Sequence, residues 1–133
     1  MSHVETVQKI YAAFGQGHIP GILELLSDDI EWEYLVLRDY GIPYYAPGRG
    51  RAAVLNFFER LAESIELTRF EPVNLLAGGE QVVALIHVSV TNKRTGKRFD
   101  DFEAHFWGFD QSGRVSQFRH LMDTHAHHLA NQP

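Results

Sequence analysis

Apolar residues recur at helical spacing in the first half of the chain and at every second position in the last third. Val4, Val7, Ile10, Tyr11 and Phe14 fall on one stripe of a helix over 4–14, with Ser2 as its N-cap, Glu5 three residues on, and Gly15 and Gly17 to end it. Pro20 opens a second, short helix running to about Leu26, which Ser27-Asp28-Asp29 breaks. Ile30 to Tyr34 alternates as a strand. The stretch 38–50, with two prolines and three glycines, reads as an irregular loop. Val54, Phe57, Phe58, Leu61 and Ile65 then mark a third helix over Arg51–Ser64, followed by a strand near Glu66–Leu76 that ends at Ala77-Gly78-Gly79.

Two hairpins follow. Gln81–Asn92 alternates with Val82, Ala84, Ile86, Val88 and Val90 on one face and Val83, Leu85, His87 and Ser89 on the other. Arg94-Thr95-Gly96 suits a three-residue loop with Gly96 left-handed, pairing Lys93 with Lys97 and so placing His87 opposite Glu103 and Ser89 opposite Asp101. Asp110 to Gly113 suits a four-residue loop, pairing Phe109 with Arg114, Glu103 with His120, His105 with Phe118 and Asp101 with Met122. The register predicts a polar row His87, Glu103, His120, with His105 one step along. The opposite face then carries Val82, Ala84, Ile86, Val88, Phe102, Ala104 and Phe106. A one-residue slip exchanges the faces.

The order is helix, helix, strand, helix, then four strands. It indicates an α+β domain over 1–133, with three N-terminal helices covering one face of a curved, mainly antiparallel sheet. Composition narrows the chemistry: 44% hydrophobic and 22% charged residues are ordinary for a globular protein, and no cysteine excludes disulfides, thiol catalysis and thiolate metal sites. A net charge of -5 argues against nucleic-acid binding, and the basic pairs Arg49 with Arg51 and Lys93-Arg94 with Lys97-Arg98 read as solvated surface. No window reaches membrane-spanning length and the N-terminus has no signal-like apolar run, so a cytoplasmic location is expected.

Three segments carry a family resemblance: 7–33 (VQKIYAAFGQGHIPGILELLSDDIEWE), 48–61 (GRGRAAVLNFFERL) and 103–123 (EAHFWGFDQSGRVSQFRHLMD). In this order they resemble the nuclear-transport-factor-2-like superfamily, particularly its SnoaL-like and ketosteroid-isomerase-like branches. The resemblance implies a cone of helices closing over a bent sheet, metal-free chemistry and sheet-to-sheet homodimers. The isomerases' catalytic base falls on Tyr34, their oxyanion-hole tyrosine on Ile10 beside Tyr11, and their protonated aspartic acid on His105, so that activity is not expected. In the similar limonene epoxide hydrolases the catalytic positions look like His120, His87 and Ser89, so the epoxide-opening carboxylates are absent too. In SnoaL-like cyclases a histidine or carboxylate in this region serves as acid or base.

The expectation is therefore an acid-base enzyme of isomerase, cyclase, dehydratase or hydrolase type, acting on a small, mostly apolar cyclic substrate. His120, Glu103, His87 and His105 are the candidate catalytic groups. Tyr34, Trp32, Tyr11, Phe14, Ser89, Asp101, Trp107 and Phe118 are the candidate pocket wall. Neither metal nor cofactor is expected, although two histidines and a carboxylate also make a metal-ligand set. The expected partners are a small-molecule ligand and, through the apolar sheet face, a second copy of the chain; no nucleic acid or membrane partner is expected. A non-catalytic binding or assembly domain is the alternative. The tail histidines His125, His127 and His128 read as an exposed helix end, with Asp123 ending the last strand and capping the short segment after it.

Overall fold

Ser2 and Glu5 form the expected reciprocal cap, with the Glu5 N–H donating to Ser2 Oγ at 3.1 Å and the Ser2 N–H donating to Glu5 Oε1 at 3.3 Å. They start α1 (His3–Gly15), and α2 (Ile19–Leu23) follows with Pro20 in its first turn. The computed structural model describes residues 1–133. Its further elements are β1 (Leu26–Tyr34), β2 (Gly48–Arg49), α3 (Arg51–Ser64), β3 (Ile65–Gly78), β4 (Gln81–Asn92), β5 (Arg98–Phe109), β6 (Val115–Leu121) and α4 (Thr124–Asn131). The second helix is shorter and the first strand longer than the sequence pattern predicts. The three N-terminal helices are joined by a fourth at the C-terminal end. No helix is long and apolar enough to cross a membrane.

The strands make one sheet in the order β2-β1-β6-β5-β4-β3, antiparallel except where β1 runs parallel to β6. Register shifts interrupt β3 against β4 and β5 against β6, and such bulges bend the sheet. The concave side packs on α1 and α3 through Val7, Ile10, Trp32, Val54, Phe57, Val82, Trp107 and Phe118, all buried.

The β4–β5 register corrects the sequence expectation. Asn92, not Lys93, pairs with Lys97, because the buried Asn92 carboxamide accepts from the Arg94 and Thr95 N–H groups and draws Lys93 into the loop. Gly96 does take the left-handed conformation (φ 75°). The slip puts Glu103 opposite Ile86, and His87 opposite Phe102. Val82, Ala84, Ile86 and Val88 are thus wholly buried and share the interior with Glu103 and His105. The expected continuous apolar outer face is split: its β4 half lies inside, and its β5 half, Phe102, Ala104 and Phe106, lies outside beside Val83 and Leu85.

In the β5–β6 hairpin Phe109 faces Val115, and His105 faces His120. The displacement is one residue at Phe109, which brings Val115 rather than Arg114 inside, and two residues beyond the bulge between Gly108 and Phe109, so from Gln117 onward the expected faces survive while the direct partners change. The loop is closed by Asp110, whose carboxylate accepts from the N–H groups of Ser112 and Arg114 and from the Ser112 hydroxyl.

Candidate functional site

Alternation along β5 sends Asp101, Glu103, His105 and Trp107 inward together, and all four are buried. Beside them β6 contributes Phe118 and His120, and β1, in parallel register, contributes Trp32 opposite Phe118 and Tyr34 opposite His120. The aromatic rings are packed against one another: Trp32 stacks on Phe118 at 4.0 Å between centroids, and Tyr34 lies 5.0 Å from His120. Helix α1 brings Ile10, Tyr11 and Phe14, and α3 brings Phe57, Phe58 and Leu61, to close a cavity of about 60 Å³. Its few polar atoms come from tyrosine hydroxyls, Trp32, Trp107, Glu103, His105, His120 and His127.

Glu103 Oε1 is the hub. His120 Nε2–H donates to it at 2.7 Å and His105 Nε2–H at 3.2 Å. Behind His105 the chain of bonds continues: Trp107 Nε1–H donates to the Tyr11 hydroxyl at 2.9 Å, and Tyr11 O–H lies 2.8 Å from His105 Nδ1 and donates to it. This chain sets the tautomer, because the Trp107 indole is donor only and the carboxylate acceptor only. Both nitrogens of His105 are committed, and burial holds its pKa down at about 4 despite the Glu103 hydrogen bond, so the ring is neutral. Burial alone would raise the Glu103 carboxyl, but the electrostatic attraction of the adjoining His120 ring and the two imidazole N–H donors overcome it and hold the group below the usual carboxylate range.

His120 differs from His105 in one respect. Its Nδ1 is buried and has no hydrogen-bond partner. The Tyr34 hydroxyl and Trp32 Nε1 are likewise buried and unpartnered. Burial, reinforced by the Glu103 charge, raises the Tyr34 pKa and keeps its hydroxyl protonated. Burial raises Tyr11 in the same direction.

A second network, which sequence reasoning missed, abuts the first. Asn131 Nδ2–H donates to the Tyr44 hydroxyl at 3.3 Å, Tyr44 O–H lies 2.6 Å from His127 Nδ1 and donates to it, and His127 Nε2–H donates to Asp101 Oδ2 at 3.0 Å. His127 Nε2 also lies 3.9 Å from Glu103 Oε2. The expected exposed histidine tail is corrected here: His127 is 2% exposed, because Asp123 caps α4 as expected and turns that face of the helix onto β5. The basic β4–β5 turn is also more than solvated surface, since Arg94, Thr95 and Lys97 donate to carbonyls of residues 129–132 at the negative end of α4.

His87 and Ser89 do not reach the cavity, correcting the row predicted across three strands. They lie on the opposite sheet face, where His87 stacks on Phe102 at 4.7 Å and contacts Arg69, and Ser89 donates to Asp100. Asp101 is on the inner face but is occupied by His127 and the Asp123 N–H. Tyr34, Trp32, Tyr11, Phe14, Trp107, Phe118, Glu103, His105 and His120 all line the cavity. Ligand atoms of Glu103, His105 and His120, and separately of Asp101, Glu103 and His127, are spaced within 4.8 Å, close enough to share a metal ion. In both sets the imidazole N–H groups already point at carboxylate oxygens, the arrangement of a proton network.

A family profile described as a SnoaL-like domain matches residues 7–118. Among solved structures, an NTF2-like protein of unknown function from Burkholderia pseudomallei K96243 is 28% identical over 100% of both chains, with a TM-score of 0.86. An NTF2-like protein from Burkholderia thailandensis E264 is 28% identical, covering 100% of this chain and 99% of that one, with a TM-score of 0.88. TerC, co-crystallized with polyporic acid, is 25% identical over 96% of each chain, with a TM-score of 0.80. No curated protein matches the sequence.

Proposed function

The chain belongs to the SnoaL-like domain family, and from that premise we propose that it is a small-molecule enzyme in which His120 works as general base and acid. Its substrate is an oxygenated, mostly apolar cyclic compound held in the aromatic cavity. The observation that carries this reading is the asymmetry of His120: Nε2–H is spent on Glu103, while Nδ1 is buried and unpartnered. An imidazole held so presents a lone pair, and the carboxylate behind it stabilises the imidazolium that forms when Nδ1 takes a proton.

Tyr34 and Trp32 supply the complementary donors. A protonated hydroxyl and an indole N–H with no protein partner suit the oxygen on which negative charge develops as the proton leaves. His105 acts through Glu103 as a positioning residue, since neither of its nitrogens is free. Returning the proton from Nδ1 to another substrate atom gives isomerisation, ring closure or loss of water, depending on the substrate. The co-crystallization of the similar TerC with polyporic acid supports an oxygenated ring compound as the ligand class.

The outer sheet face supports a symmetric dimer as part of this reading. Leu85, Phe102 and Leu121 are exposed there on adjacent strands, a patch that two copies would bury against each other.

4-Nitrophenol tests the acid-base role, because its anion is coloured. At about pH 6, where the free phenol is mostly protonated, the bound probe is expected as phenolate, with the colour lost in His120→Phe. A probe that binds wild type without ionising, or ionises equally in His120→Phe, removes His120 as the base.

A further inference from the structure

On its outward side α3 carries a second apolar stripe. Leu55, Phe58 and Ala62 recur at helical spacing beside the core stripe of Val54, Phe57 and Leu61, and Leu55 is 41% exposed. The stripe is one wall of an open groove of about 400 Å³, whose other walls are Phe14, Gly17 and Ile19 from the α1–α2 region and Ile65 and Leu67 from β3. Its one charged lining residue is Glu59. Phe14, Phe58, Leu61, Ile65 and Leu67 line both this groove and the inner cavity, so the two spaces share a wall of five apolar residues.

The cavity is small, and its polar groups gather around Glu103. It suits one oxygenated ring. The groove is larger and apolar, and it adjoins the cavity across those five shared residues. From this juxtaposition we propose that the groove is the outer half of the substrate site and takes an apolar extension of the substrate, a further ring or an alkyl chain, attached to the head group that His120 deprotonates. The inference rests on the reading of the inner cavity given above. It assigns the substrate class as amphipathic: a compact oxygenated head and a hydrophobic tail that passes between Phe14, Phe58 and Leu61.

A 4-alkylphenol series from methyl to octyl, titrated calorimetrically, separates the two halves. Affinity is expected to rise about fourfold per methylene as the chain fills the groove, the gain for transferring one methylene out of water. In Leu55→Glu and Ala62→Glu, at surface positions of α3 where the helix tolerates a carboxylate, that dependence on chain length is expected to vanish. Short phenols that bind with no gain on lengthening overturn the groove and leave the inner cavity standing. A gain that persists unchanged in both variants places the tail elsewhere and also overturns it. If no phenol of any length binds, both halves fall together. If Leu55→Glu instead turns a dimer into a monomer by sedimentation, the groove is a contact between copies and not a substrate site.

Discussion

His105 and His127 stand in the same chemical relation to their surroundings. Each accepts a tyrosine O–H on Nδ1, from Tyr11 at 2.8 Å and Tyr44 at 2.6 Å, and each gives its Nε2 proton to a carboxylate, Glu103 or Asp101. The two carboxylates are alternate residues on the inner face of β5. A buried carboxylate needs donors, and a neutral imidazole whose other nitrogen is satisfied supplies one without a net charge. The repetition leaves His120 as the odd member, with one nitrogen still free to react.

The two tyrosines are not equally committed, so their removal should differ. The Tyr11 oxygen sits between Trp107 Nε1 and His105 Nδ1, and Tyr11→Phe orphans both. Tyr44→Phe orphans His127 Nδ1 alone, because Asn131 Nδ2 also donates to the His127 carbonyl at 2.8 Å. At about 1–3 kcal/mol for each unsatisfied buried group, Tyr11→Phe should be the more destabilising by roughly one such increment. Urea unfolding of the two variants checks the order, and a larger loss in Tyr44→Phe would contradict it.

Stability should begin to fall on acidification well above the carboxylate range. With a folded pKa near 4 against an ordinary 6.5, His105 stays neutral in the fold while its unfolded counterpart takes a proton as the pH drops below 6.5. Protonation then favours the unfolded chain, and the loss accumulates down to about pH 4, worth roughly 3 kcal/mol. Glu103 adds to it later: its lowered pKa contributes stability above about 4.5 that disappears as the pH falls further. Denaturant titrations from neutral pH to about 4 should show this slope in wild type and a flatter one in His105→Gln. Equal slopes would mean the ring is not held neutral.

The fold was legible because it rests on period and punctuation. The helical stripe of Val7, Ile10 and Phe14, the Ser2–Glu5 cap and the alternation of β4 and β5 are local facts, and they survive in the structure. The faces of Asp101, Glu103, His105, Phe118 and His120 were legible too, since the two-residue displacement beyond the bulge preserves alternation, whereas Val115 beside the turn moved inside. What failed was the count of residues in the Asn92–Lys97 turn. One buried carboxamide folded over that turn moves His87 and Ser89 to the other side of the sheet. His127 was missed for a different reason: its partners Tyr44 and Asp101 are far from it in sequence, and a lone histidine near a chain end carries no periodic signal of burial.

Removing His127 should be costly even though it lies near the end of the chain. His127→Ala leaves Asp101 buried, with only the Asp123 N–H as its partner, and frees Tyr44. Breaking a buried pair from one side typically costs about 3–5 kcal/mol. Chemical denaturation should therefore show a large loss in His127→Ala and little change in His125→Ala, whose side chain is exposed. Comparable effects at the two positions would mean that α4 is not held by this bond.

The outer face gives a test of assembly independent of the cavity. Phe102 is 60% exposed on β5, with His87 stacked against it from β4. A carboxylate in its place would sit in the middle of the proposed dimer contact. Phe102→Glu should sediment as a monomer at micromolar concentration and keep the far-ultraviolet spectrum of wild type, whereas wild type should sediment as a dimer. A monomeric wild type would remove the dimer.

Glu103→Gln and Glu103→Ala together separate a reacting group from a structural one. The carboxamide keeps the shape and an oxygen that can still accept from His120 and His105, so Glu103→Gln should lose only the stability that the charge itself contributes and keep its fold. Alanine removes the acceptor and strands two buried imidazole N–H groups, which should cost several kcal/mol. Proton transfer should respond in the opposite sense to stability. Without the negative charge, the imidazolium of His120 loses its counter-ion, and ionisation of bound 4-nitrophenol at about pH 6 should collapse in Glu103→Gln despite its intact fold. If Glu103→Gln ionises the probe as wild type does, the carboxylate serves the fold alone and the acid-base reading loses its charged partner for His120.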